Sequence, residues 1–187
     1  MKSLFELDKY DIKVVPTRWG NTPQDQINPQ TEFGQKILQN IITQLDKKPD
    51  IFIQVSVANE FQPKGGYNIG ITAGIETTIC APTWLEGINK MNLTLVSSEH
   101  AKKVFEESKF EKRHKTTNQF EGKLELEKPI QVLFEGADTD IYKVINTPCS
   151  IDFNVKEDFA YLFVGHWMEG ELGHDRKNVG LLVKAFL

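Results

Sequence analysis

Apolar positions along this chain keep two rhythms. In "DIFIQVS", "YNIGITA" (67–73), "NLTLVSS" (92–98) and "PIQVLFEG" they form short, largely β-branched runs bounded by turn residues, which predicts strands, and "IKVVP" (12–16) reads the same way. In "TEFGQKILQNIITQL" (31–45), Phe33, Ile37, Ile41 and Leu45 recur on one side of a helix that Thr31 can cap. "APTWLEGINKM" is a second helix. "SEHAKKVFEES" is a third, opened by Ser97 or Ser98 and turning Ala101, Val104 and Phe105 inward. Strand and helix in alternation is the pattern of a layered α/β sheet whose strands pair in parallel through right-handed crossovers. The predicted fold class is therefore α/β: a Rossmann-like, mainly parallel sheet with helices on both faces.

Two stretches break the rhythm. "SKFEKRHKTTNQFEGKLELEK" (108–128) is polar throughout and is expected to be a surface excursion. After residue 142, "KVINTPCSIDFNVKED" has no period and contains a proline, which reads as a linker. Beyond it, "FAYLFVGHW" is expected to be a buried strand, followed by a glycine-containing polar loop. The closing segment "DRKNVGLLVKAFL" (175–187) is a helix capped by Asp175, with Val179, Leu182, Val183 and Phe186 on one side. Strand, loop and helix in that order begin a doubly wound sheet. The expected organisation is a first domain over 1–142, a linker over 143–157, and the start of a second Rossmann-like domain over 158–187.

Composition narrows the partners. The 187 residues carry a formal charge of −4, with lysines interleaved among carboxylates. That leaves no basic field for a phosphate backbone and excludes nucleic acid as the main partner. Cys80 and Cys149 stand far apart without a CxxC and read as small buried thiols of a reducing compartment, so a cytoplasmic location is expected. No run of about 18 apolar residues is present to span a membrane, and the N-terminal stretch is too charged for a signal peptide. GxSxG, P-loop and GxGxxG patterns are all missing, which removes the usual support for a hydrolase, a kinase or a dinucleotide oxidoreductase.

Three pieces of the chain, in a shared order, resemble family-four glycosyltransferases and their phage-type relatives. "NIGITAGIETTICAPTWLEGINKMNLTLVSSEHAKKVFEES" is similar to the later part of their N-terminal domain, "FEGADTDIY" (134–142) to the motif that closes it, with Ala137 where valine is usual, and "FVGHWMEGELGHDRKNVGLLVKAF" to the opening of their donor domain. The resemblance implies a GT-B architecture and retaining sugar transfer from a nucleotide-diphosphate sugar to an acceptor that the sequence leaves open, with no metal or other cofactor. The glycine-rich loop and the paired donor-site glutamates of that family have no counterpart here. The expectation is an internal fragment, inactive alone.

Candidate residues fall at two places. "TAGIETT" (72–78) follows a predicted strand at the edge where open α/β sheets gather ligands. There Thr72, Gly74 and Thr77 can approach a sugar or phosphate. Glu76 either orients an acceptor hydroxyl and steadies developing positive charge, or serves the dipole of a following helix. Arg176 and Lys177 stand at a predicted helix start, where cations and free N–H groups together can neutralise a diphosphate, or else form a solvated cap. The resemblance implies the diphosphate role, Lys177 foremost, with His166 touching the donor. "HWMEGELGHD" also offers His166, Glu169, Glu171, His174 and Asp175, but without an HExxH spacing no metal site is assigned. Arg18 and Trp19, in "PTRWGNTP" (16–23), either shape the acceptor side or, as a Trp beside a Gly in a turn more often does, pack over the core, and His100 and His114 receive no role. A reading of another class stands beside the enzyme: a non-catalytic nucleotide- or sugar-binding module on the same scaffold.

Overall fold

Four of the predicted strands build one parallel sheet. They are β1 (Ile51–Val55), β2 (Tyr67–Thr72), β3 (Leu93–Val96) and the sixth strand of the chain, β6 (Ile130–Val132), in spatial order β1-β2-β3-β6. The computed structural model describes residues 1–17, 27–146, 154–165, 174–175 and 177–187. These form two compact units, Met1–Gly136 and Ala137–Leu187. Arg18, Trp19, Cys149, His166, Glu169, Glu171 and Arg176 lie outside the described residues.

In the first unit the crossovers carry helices α3 (Pro82–Ile88) and α4 (Glu99–Glu107). The sheet advances one strand at a time in a single direction, so right-handed crossovers place both helices on the same face. The stack of Trp84 on Phe105, with ring centroids 6.1 Å apart, joins them there. Leu85, Ile88, Met91, Val96 and Phe105 fill the core beneath, with Phe61 closing it beside β2. A Cβ on Gly70 would run into the Phe61 ring, so the close approach needs glycine.

The opposite face is not covered as predicted. At the β1 edge of that face Ile51, Ile53 and Val55 are 50%, 42% and 64% exposed. A second helical layer requires a reversal of direction in strand order, and these four strands contain none.

The first forty residues also depart from expectation. Helix α2 (Glu32–Gln39) begins as predicted, with Thr31 Oγ1 accepting from the Gly34 amide at 3.0 Å, but it stops at Asn40. The β-branched run Ile41–Ile42–Thr43 favours extended backbone. It turns to Val14, whose amide donates to Asn40 O at 2.8 Å and whose carbonyl accepts from Ile42 at 2.9 Å. "IKVVP" is therefore a single bridge, Val14 to Ile41, rather than a strand. A short helix, α1 (Lys2–Glu6), precedes it and sets Phe5 edge-on to Phe33.

The polar excursion is an antiparallel hairpin of β4 (Phe110–Arg113) and β5 (Phe120–Leu124). Leu124 at its base is buried, and Asn118 takes a left-handed turn conformation near its tip. Asn89, at the end of α3, grips the following segment, donating to Glu125 O and accepting from the Glu127 amide, both at 2.8 Å.

In the second unit the expected strand is absent. Residues 159–164 pair with nothing among the described residues, and Leu162 and Val164 are 87% and 85% exposed. A strand needs a neighbour to satisfy its N–H and C=O groups, and the unit contains no other described strand. It does contain helix α5 (Val179–Phe186) and an aromatic cluster, Phe159 against Tyr161 and Tyr161 against Phe186. No helix among the described residues is long and apolar enough to cross a membrane.

Candidate functional site

The candidate residues of the first unit sit where β2 gives way to its crossover. Thr72 is the last residue of β2, buried and in register with Val96 of β3. The chain then leaves the sheet through residues 73–81, which remain non-helical until Pro82 opens α3. Gly74 has φ +87, and a Cβ there would meet Ala101 of α4. Both facts demand glycine. Ile75 packs toward the core, while Glu76 and Thr77 are exposed. Because no helix starts at this point, Glu76 does not serve a helix dipole.

This loop is strapped from the β3–α4 junction. Ser97 Oγ donates to Ala73 O at 2.8 Å, and His100 Nε2 lies 3.2 Å from Thr77 O. Between them Ser98 caps α4 by accepting from the Ala101 amide at 3.1 Å. A carbonyl oxygen only accepts, so the His100 proton is on Nε2, and in the neutral ring Nδ1 is left as an acceptor. His100, to which sequence reasoning assigns no role, is thus brought to the loop that carries Glu76. The available signal was its position in the first turn of a helix beginning at the C-terminal edge of a strand.

A second carboxylate was also missed. Glu60 follows β1 at the same edge, and the Ser56 hydroxyl donates to its carboxylate. The Gln54 side chain holds the backbone there, donating to Glu60 O at 3.0 Å and accepting from the Gln62 amide at 2.9 Å. The Ser56 amide in turn donates to Ile71 O, so Glu60 and Thr72 belong to neighbouring strand ends.

In the second unit Asp175 caps α5 as expected, but its reach alters the meaning of that helix start. Its carboxylate accepts from the Val179 and Gly180 amides, both at 2.9 Å, and its carbonyl accepts from Asn178. The Gly180 hydrogen bond foremost, aided by Val179, holds the carboxyl below the usual aspartate range against the opposing effect of burial. The leading N–H groups expected to receive a diphosphate are therefore occupied by an anion. Lys177 is exposed in the turn that precedes the helix, whereas Arg176 and His166 lie outside the described residues.

Other titratable groups take structural parts. His114 Nδ1 accepts from the Thr117 amide at 3.2 Å at the hairpin tip. Cys80 is buried, its amide donating to Ser108 Oγ. No cluster of three or more potential metal ligands occurs among the described residues. No protein-family model, curated protein or solved structure matches the chain significantly.

Proposed function

We propose that this chain handles nucleotide-activated sugars in the manner of a retaining glycosyltransferase of the GT-B type. The acceptor would be held at Thr72, Gly74, Glu76 and Thr77, and the donor diphosphate would be met by Lys177 with Arg176 and His166. The observation that carries the reading is the placement of the sequence pieces on which the resemblance rests. Trp84 and Phe105, both within the longest piece, stack on each other. Ser97 and Ala101, from the same piece, support the loop bearing Glu76. In such a reaction the lysine would oppose charge that grows on the leaving diphosphate, while Glu76 would orient a hydroxyl.

The Asp175 carboxylate on the leading amides of α5 favours a second reading, a sugar- or nucleotide-binding module without turnover. With those amides occupied, the diphosphate would be held by side-chain cations without the helix N-terminus, which weakens the grip, so binding without turnover is expected of this chain. Saturation-transfer NMR on UDP-glucose and GDP-mannose, with mass spectrometry for released sugar, tests both readings. Signals from nucleotide and sugar protons, competed by UDP or GDP, support a nucleotide-sugar site. Absence of a saturation-transfer signal from both donors overturns it, and efficient turnover would contradict the weak donor grip inferred from Asp175.

A further inference from the structure

Each strand of the parallel sheet runs out into a glutamate: Glu60 after β1, Glu76 after β2, Glu99 after β3 and Glu135 after β6, all exposed. The segments that carry them, 56–63, 73–81, 97–100 and 133–136, contain no lysine or arginine. The nearest cations are turned elsewhere. Lys102 and Lys103 of α4 reach one turn further along the helix, to Glu106 at 3.9 Å and Glu107 at 3.8 Å. Lys64 lies over the Phe52 ring, at the opposite end of β1. Glu99 sits in the first turn of α4, where the helix N-terminus offsets its charge. The carboxyl end of the sheet, where open α/β sheets gather ligands, therefore presents a negative field.

A buried hydroxyl opens at the same place. Thr72 is only 5% exposed, and its Oγ1 makes no hydrogen bond among the described residues. Among those residues Thr94 Oγ1 is the one fully buried side-chain atom without a partner, so the Thr72 hydroxyl reaches the surface. A group so placed is served by water or by a ligand that displaces it. β1 and β2 run in register through Val55 and Ile71, and the Ser56 amide donates to Ile71 O. Ser56 is thus set beside Thr72, with both side chains on the face that carries α3 and α4. The Ser56 hydroxyl donates to the Glu60 carboxylate, and Gln54 holds the Glu60 backbone. A fixed carboxylate and an unpartnered hydroxyl are brought together at adjacent strand ends.

We infer that the ligand taken here is an amine-bearing sugar, its ammonium held by Glu60 and a ring hydroxyl by Thr72. The inference rests on the reading of residues 72–77 as the acceptor site and names the class of that acceptor. A phosphorylated or acidic sugar would meet glutamates at all four strand ends and no cation. A divalent metal needs several oxygens around one point, and no group of three or more potential ligands converges among the described residues. An ammonium carries three donors and is served by one fixed carboxylate with hydroxyl oxygens beside it. A neutral sugar would satisfy Thr72 but gain nothing from the field.

Backbone amide shifts of the isotope-labelled chain read it, with glucosamine as the probe at slightly acid pH, where its amine is protonated. N-acetylglucosamine and glucose 6-phosphate serve as neutral and anionic counterparts. Glucosamine should give saturable shifts at 56–60 and 72–77 with a dissociation constant on the order of 1–10 mM, as a ligand of about a dozen non-hydrogen atoms allows. N-acetylglucosamine should bind roughly five-fold more weakly, the scale of one exposed ion pair, and glucose 6-phosphate should leave these residues unmoved. Glu60→Gln, at an exposed position, should bring the two hexosamines to equal affinity with circular dichroism unchanged, and Thr72→Val should weaken both. Equal binding of the amine and its acetylated form by the wild type, a preference that survives Glu60→Gln, or no shifts with glucosamine overturns the inference. Donor shifts at 174–180 without a glucosamine preference would overturn it alone, whereas the reverse pattern would overturn the transferase reading and leave the amine site standing.

Discussion

His100 Nε2 lies 3.2 Å from the carbonyl oxygen of Thr77, so the first turn of α4 holds the loop that leaves β2. Ser97, just before the α4 cap, holds the same loop four residues earlier, at Ala73. The loop carrying Glu76 is thereby held by side chains of the β3–α4 junction as well as by its own backbone.

His100→Ala is expected to loosen residues 76–79 and to quicken their amide hydrogen exchange, with a stability cost of about 1 kcal/mol or less, as befits an exposed neutral hydrogen bond. His100→Gln retains a donor and should recover part of the protection. Unchanged exchange in both variants would show that the strap contributes nothing.

Asp175 makes the second unit sensitive to acid. Its carboxyl is held below the ordinary aspartate value by the Gly180 and Val179 amides, so its contribution is fully present above an unfolded pKa of about 3.9 and is lost as pH falls through the lower folded value. Amide protection of α5 should accordingly decline below about pH 4, and Asp175→Asn should show low protection at neutral pH that no longer changes over that range. Protection in the variant equal to the wild type's at pH 7 would contradict the assignment.

Gly70→Ala is expected to destabilise the first unit by about 1–3 kcal/mol, because a methyl group there displaces the buried Phe61 ring. A thermal or urea melt reads it. A loss under about 0.5 kcal/mol, the scale of an ordinary surface change, would mean that Phe61 moves aside freely.

The legible part of the fold was the part in which local signals agree. The runs around β2 and β3 lie between clear turn residues, and Ser98 and Thr31 cap the helices they precede. The hairpin was hidden because its strands are charged, leaving Phe110 and Leu124 as the inward pair at its base. The segment 159–164 has a strand's composition, but pairing is a property of neighbours and not of a run. At the candidate site, sequence position placed Thr72 and Gly74 at a strand end. It missed His100 and Glu60, which are brought there by strand order, a long-range fact with no local signature. The role of Asp175 as a cap was legible, and its consequence for anion binding followed once both accepting contacts were seen.

The most direct measurement is a titration of the isotope-labelled chain with UDP-glucose and GDP-mannose, followed through backbone amide shifts. Nucleotide-sugar handling predicts saturable shifts at residues 174–180 from the diphosphate. The expected dissociation constant is about 1 mM, near −4 kcal/mol, and Lys177→Ala should weaken these shifts while α5 stays folded. Shifts confined to other residues, or none with either donor at about ten times that concentration, would contradict it.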